Sequence, residues 1–254
     1  MKKYVIYTSV TGAYDNLPEY DYIDERFDYL CFSNDYPEGE KVGQWKIKSI
    51  PINVAKSNIH LSRYPKLLPH KVLPEYEWSV WLDANLNIKS KEIYDKIIHN
   101  IDQNNKWCGI EHPGTHCIYK EIKVCLELGK VKFLNVLSIF KFLKKEKYPK
   151  NNGLFENNFI LRKIHDKKII EIDESWWKLF NRFIPRDQLS LFYLFWEKNF
   201  KPSLFLPKEI NTHNSPMFGF KYHNKQKISK KINLKINIFI NKLFLKITEK
   251  LNYF

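Results

Sequence analysis

The stretch richest in chemistry is EWSVWLDANLNI, residues 77–88. An apolar run with Trp78, Val80, Trp81 and Leu82 drives into Asp83-Ala84-Asn85, and Leu86 and Ile88 resume the alternation beyond it. Such a run predicts a buried strand, and a carboxylate at its end is costly to bury without a partner. In open α/β sheets that carboxyl end is where ligands gather. A carboxylate and an amide oxygen two residues apart can ligate a hard divalent cation, Asp83 with charge and Asn85 without it. The plain alternative is a strand that ends in an Asp/Asn turn.

Other polar groups stand close by in the sequence. Arg63, Lys66, His70 and Lys71 precede that strand. Arg63 could grip a diphosphate with two parallel bonds and Lys66 as a point charge, or the group could be a solvated basic face. Near the start, YVIYTSV runs into TGAYDNLPEY, where Thr8, Thr11, Tyr14 and Asp15 offer groups for a base or ribose. No GxGxxG or GxxxxGK[ST] follows, which excludes a dinucleotide fingerprint and a P-loop. Glu111, His112, His116 and Glu121 lack the HExxH spacing of a zinc site; their donors and acceptors match sugar hydroxyls better. Asp187 and Gln188 follow Pro185-Arg186. They are expected in the first turn of a helix buried by Leu189, Phe192, Tyr193 and Trp196, either capping it or facing a ligand.

The elements that must position these groups alternate between strand and helix. Strands are expected over 4–10, 27–35 and 45–52, at the Asp83 segment, from Trp107 and over 154–165. Helices are expected over 91–101 and 123–147, from Asp173 and from Arg186. The pattern implies an α/β fold, a mixed sheet flanked by helices with its loops gathered on one edge. From Lys225 onward, Ile232, Ile236, Phe239, Leu243 and Ile247 recur at helical spacing, although alternation over 232–238 also allows a strand. We expect a basic amphipathic C-terminal helix.

With 254 residues, 44% of them hydrophobic and 16% aromatic, the chain can bury a large core. Cys31, Cys108, Cys117 and Cys125 form no CxxC and no export signal precedes the first strand, so reduced thiols in the cytoplasm are expected. Residues 123–150 hold eight Lys and two Glu, and residues 221–254 hold nine Lys and one Glu; together they account for the whole net charge of +14. Nucleic acid and an anionic membrane both attract such charge. The lysines interleave with Ile, Leu and Phe rather than with Arg and exposed aromatics, which favours the membrane.

IYTSVTGAYDNL, the R-x-x-K-x-x-x-H set of Arg63, Lys66 and His70, SVWLDANLNI, EHP with the following YKE, ENNFILR and RDQLSL occur in that order. The ordered set resembles the glycosyltransferase-like domain family shared by bacterial surface-polysaccharide proteins and plant mucilage-related glycosyltransferases. The likeness spans roughly residues 4–223, so a GT-A-like (Rossmann-like) domain over 1–223 and a basic tail over 224–254 are expected. The resemblance implies transfer of a sugar from a nucleotide-sugar donor to a glycan or lipid-linked acceptor, in capsule or lipopolysaccharide synthesis, at the inner face of the membrane. It is similar, more loosely, to the glycogenin and lipopolysaccharide-galactosyltransferase group, a hexosyltransferase type. That likeness implies Mn²⁺ or Mg²⁺ on Asp83, Asn85 and His223 (or His213), with Asp187 and Gln188 on the reacting face of the sugar. Donor contacts then fall to Thr8, Thr11, Tyr14, Arg63, Lys66, His70 and Asp83, and acceptor contacts to His112, Glu121, Asn157 and Trp177. Asp-Ala-Asn lacks the second carboxylate of that group's motif, and the Asp-Gln pair lacks its second Asp; retention and inversion both stay open. The rival reading is a non-catalytic membrane- or nucleic-acid-binding protein on the same fold. A lipid hydrolase, suggested by the ceramidase label of some relatives, finds no GxSxG or HExxH here.

Overall fold

A computed structural model describes residues 2–14, 16–51, 53, 57–183, 185–221 and 228–250. The chain divides into two compact units. The first comprises Met1–Pro113, Phe155–Trp177 and Lys201–Asn224, and the second Gly114–Leu154, Lys178–Phe200 and Lys225–Phe254.

The first unit is built on strands β1 (Lys2–Ser9), β2 (Asp28–Phe32), β3 (Lys41–Val42), β4 (Trp45–Lys48), β5 (Tyr76–Leu82), β6 (Leu86–Ile88), β7 (Trp107–Glu111), β8 (Phe155–Lys163), β9 (Ser203–Leu204) and β10 (Phe218–Phe220). The main sheet runs β3-β4-β2-β1-β5-β8-β7-β9, while β6 and β10 form a separate antiparallel pair. From β4 to β9, only β8 runs against its neighbours. Parallel strands buried on both faces need apolar residues throughout, and YVIYTSV, DYLCF and YEWSVWL meet that need. One face carries Ile6, Cys31, Ile47, Val80, Cys108 and Leu161 in a continuous core. This mixed α/β sheet flanked by helices is the class expected from the sequence.

Helices α1 (Asn58–Leu67), α2 (Pro69–Val72), α3 (Glu92–Asp102) and α6 (Lys167–Arg182) accompany the sheet. The last begins earlier than Asp173, because Asp166 caps it: its Oδ1 accepts the N–H groups of Lys168 and Ile169. Asp173 and Glu174 therefore sit on interior turns, where each meets a cation.

In the second unit the apolar pattern over 123–147 is two helices, α4 (Ile118–Glu127) and α5 (Phe133–Lys145). Gly129, with φ of 66°, ends the first of them, and the Lys130 N–H closes back onto the Cys125 carbonyl. A Cβ there would stand 2.7 Å from Ile238 and 2.8 Å from Leu234, so both backbone and space select glycine. A 3-10 turn (Asp187–Leu189) precedes α7 (Leu191–Glu197), and Ile228–Lys250 form α8. Asp187 and Gln188 thus lie before the helix rather than in its first turn.

Candidate active site

β1 and β5 are parallel neighbours, and the chain leaves β1 toward β2 on the other side. Their shared carboxyl end is a topological switch point, the place where open sheets bind ligands. Asp83 lies there. Its N–H donates to the Asn158 carbonyl and its carbonyl accepts from Leu86, which makes Asp-Ala-Asn a tight turn between β5 and β6. Asp83 Oδ1 accepts from Trp81 Nε1 at 2.7 Å and from Lys66 Nζ at 3.1 Å. The Asp83 side chain is 28% exposed and that of Lys66 only 1%. The lysine thus lies beneath the carboxylate and fixes its rotamer.

A second buried cation holds Lys66 in place. Arg162, wholly buried, pairs with Asp173 at 2.7 Å, donates to Tyr7 Oη at 2.8 Å and bonds the Lys66 carbonyl. Its guanidinium also lies 4.9 Å from the Trp107 ring. Burial raises the Tyr7 hydroxyl to about 12, so it stays a neutral hydrogen-bonding group. His70 faces inward to Glu174 at 3.2 Å, and Lys71 meets the same carboxylate at 2.7 Å. His70 therefore ties α2 to α6. Arg63 is half-buried on α1 and donates to Ser62 Oγ at 3.5 Å.

The other expected donor residues divide similarly. Thr8 is fully buried within β1. Thr11 donates its hydroxyl to the Asn58 carbonyl and joins the loop after β1 to the start of α1. Tyr14 stays exposed on that loop. Trp177 packs edge-on against Tyr64 at 5.4 Å and near His60, so it braces α1. His112 is half-buried just beyond β7.

Asn157 is the most unusual polar residue of the unit. It is 2% exposed, holds φ at 61°, and neither amide atom has a hydrogen-bond partner. It sits where the β7–β8 register slips between the Gly109–Ile160 and Glu111–Phe155 pairs. Bulges of this kind re-aim side chains beside active sites, and each unsatisfied buried group costs about 1–3 kcal/mol. Its neighbours escaped the sequence reading. Glu156 Oε2 accepts from the Thr212 N–H at 3.1 Å and its hydroxyl at 2.7 Å, and Asn158 also donates to that hydroxyl. Burial holds the Glu156 carboxyl above its ordinary range. His213, 62% exposed, stands 3.8 Å from Glu156 and stacks on Phe220 at 4.3 Å. Phe220 pairs with Leu86, and the Asn85 carbonyl accepts from Lys221, so the fold carries His213 toward the Asp-Ala-Asn turn. The only signal in the sequence was Glu-Asn-Asn opening an otherwise apolar strand.

In the second unit, Arg186 donates to Gln188 Oε1 at 2.7 Å and to Cys125 Sγ, and lies 3.7 Å from Glu121. Glu121 is buried and Cys125 also donates to it. Its carboxylate is thus engaged inside the unit. Asp187 and Gln188 are buried beside it. All four cysteines are free and buried.

Among the described residues no three His, Cys, Asp or Glu side chains converge as a metal site, and His223 lies outside them. Asp83 and Asn85 nevertheless suit a hard cation that takes its remaining oxygens from phosphate and water. The bonds from Trp81 and Lys66 to one Asp83 oxygen orient the other, as supporting groups do for metal-binding carboxylates.

The first unit is thus a mixed α/β sheet flanked by helices, with a braced carboxylate closing β5. The chain belongs to the TOD1/MUCI70 glycosyltransferase-like domain family, whose sequence pattern matches residues 13–214. No curated protein matches it. Mouse xyloside xylosyltransferase 1 in its apo form is similar at 11% identity, over 80% of this chain and 84% of that one, with a TM-score of 0.44. The apo bifunctional glycosyltransferase WbbM is similar at 10% identity and TM-score 0.44; the match covers 92% of this chain but 43% of WbbM. Galactosyltransferase LgtC, solved with donor and acceptor sugar analogs, matches at 10% identity over 79% and 72% of the two chains, with a TM-score of 0.41.

Proposed function

We propose that this protein moves a sugar, of hexose type, from a nucleotide-sugar donor to a glycan or lipid-linked acceptor in bacterial capsule or lipopolysaccharide synthesis, at the inner face of the cell membrane. The observation that carries the reading is the Asp83 carboxylate, braced by Lys66 and Trp81 at the end of β5. Sugar transfer from such a donor releases a nucleoside diphosphate, so the site must stabilise developing phosphate charge. Mn²⁺ or Mg²⁺ held by Asp83 and Asn85, with His213 or His223, would supply that charge when bound. Arg63 adds a surface guanidinium on the neighbouring helix. Asn157, with both amide atoms unpaired, supplies donors and acceptors for sugar hydroxyls. Asp187 and Gln188 are assigned to the reacting face of the sugar. Retention needs no base; inversion needs a carboxylate at the acceptor hydroxyl, with Glu121 or Asp187 as the candidate.

Hydrolysis of a panel of nucleotide sugars, with and without Mn²⁺, tests the reading. One donor should be turned over, and Asp83→Ala should lower the rate by about 10²–10³-fold while the melting curve stays cooperative. Spin-resonance titration of Mn²⁺ should show binding that Asp83→Ala removes. A protein that neither binds nor cleaves any nucleotide sugar is not this enzyme.

A further inference from the structure

The two units differ sharply in charge. The residues of the first include 21 Lys and Arg against 22 Asp and Glu; those of the second include 21 against six, a net of +15. The two lysine-rich segments, far apart in the chain, are joined there through α8. Asn241, buried on α8, donates to the Leu126 and Val131 carbonyls at 2.9 and 2.8 Å and accepts the Phe133 N–H at 3.2 Å. Leu234 and Ile238 close over Gly129, Phe244 lies against Phe133, and Leu245 is buried. With 3.6 residues per turn, Leu234, Ile238, Asn241 and Leu245 define one face of the helix.

The opposite face is also apolar. Ile236, Phe239, Ile240 and Leu243 follow the i, i+3, i+4, i+7 spacing of a single stripe, centred half a turn from the docked residues. Phe239 is 71% exposed and the other three 51–56%. Leu128 and Leu134, on the segment against which α8 packs, are exposed as well. Lys235 and Lys242, both exposed, flank the stripe on one side. A helix already docked by one face has no need of a second apolar face unless something covers it.

We propose that this outward face of α8, with the surrounding lysines, docks on an anionic lipid bilayer. The inference sharpens the membrane placement proposed above and does not depend on sugar transfer, so the two can fail separately. Charge selects the occupant. A second copy would bring +15 against +15, whereas an anionic lipid surface attracts every lysine and accepts the aliphatic stripe between its head groups. Nucleic acid would be met by arginines and stacking rings, and Phe239 is the only ring on the exposed stripe. The helix enters this contact already folded and pinned by Asn241, so binding need not order it.

Co-sedimentation with phosphatidylcholine vesicles, with and without phosphatidylglycerol as the anionic lipid, tests it. Binding should require the anionic lipid and weaken with salt, by about fivefold for each lysine neutralised near the surface. Phe239→Asp with Leu243→Asp should lower partitioning by about 100-fold and leave the melting curve and nucleotide binding unchanged. Because both side chains face outward, Phe239→Ser with Leu243→Ser serves if the acidic pair perturbs folding. Unchanged vesicle binding in either pair overturns the proposal. So does light scattering that shows a dimer dissolved by the same substitutions, or RNA binding without vesicle binding.

Discussion

The first unit balances its charges, and the second carries an excess of lysine. In the first, positive and negative side chains nearly balance, and the buried cations Lys66 and Arg162 meet Asp83 and Asp173, which fixes helix α1 and the site carboxylate. In the second, six acidic residues face 21 basic ones, and two of the six, Glu121 and Asp187, are buried beside Arg186. Paired charge inside a domain gives geometry at little net gain in stability. Unbalanced charge on a surface gives attraction to a partner at a distance. The contrast separates a unit whose charges balance from one whose charge is largely of one sign.

The comparison is broken most severely at Arg162. Arg162→Met should strand Asp173 and the Tyr7 hydroxyl in the interior and cost about 3–5 kcal/mol, read by urea denaturation. A loss below 1 kcal/mol would mean that the pair adds little to the first unit. Asn241→Leu acts on the second unit: it leaves two carbonyls and an N–H without their partner and should cost about 2–3 kcal/mol. Hydrogen exchange should then show faster exchange over 228–250 and little change in β1 and β5; equal acceleration in both would contradict separate units. The smallest effect concerns Glu156. Burial raises its carboxyl above the ordinary 4.5, so the folded state holds the proton more tightly than the unfolded one. Its contribution is fullest below 4.5 and declines as pH rises through the raised value. Glu156→Gln should flatten the fall in melting temperature between mildly acid and neutral pH, and an unaltered slope would show that another group titrates there.

The local pattern in the sequence was enough for several features. Apolar runs around YVIYTSV and EWSVWL dictate buried parallel strands, because only such residues tolerate cover on both faces. The Asp83 turn follows from a polar tripeptide interrupting that run, and the uneven distribution of lysine can be counted directly. Tertiary structure alone decided which polar groups meet. Lys66 and His70 share a motif with Arg63, yet packing turns the first two inward, since side-chain direction depends on where the helix lies against the sheet. Gly129 divides one apolar pattern into two helices because α8 crosses it, a contact more than 100 residues away in the chain. Glu156, Thr212 and Asn158 meet across a register slip that no local periodicity encodes. The outward stripe on α8 became visible only once Asn241 and Leu245 had defined the docked face, since helical spacing yields stripes but not which of them is covered.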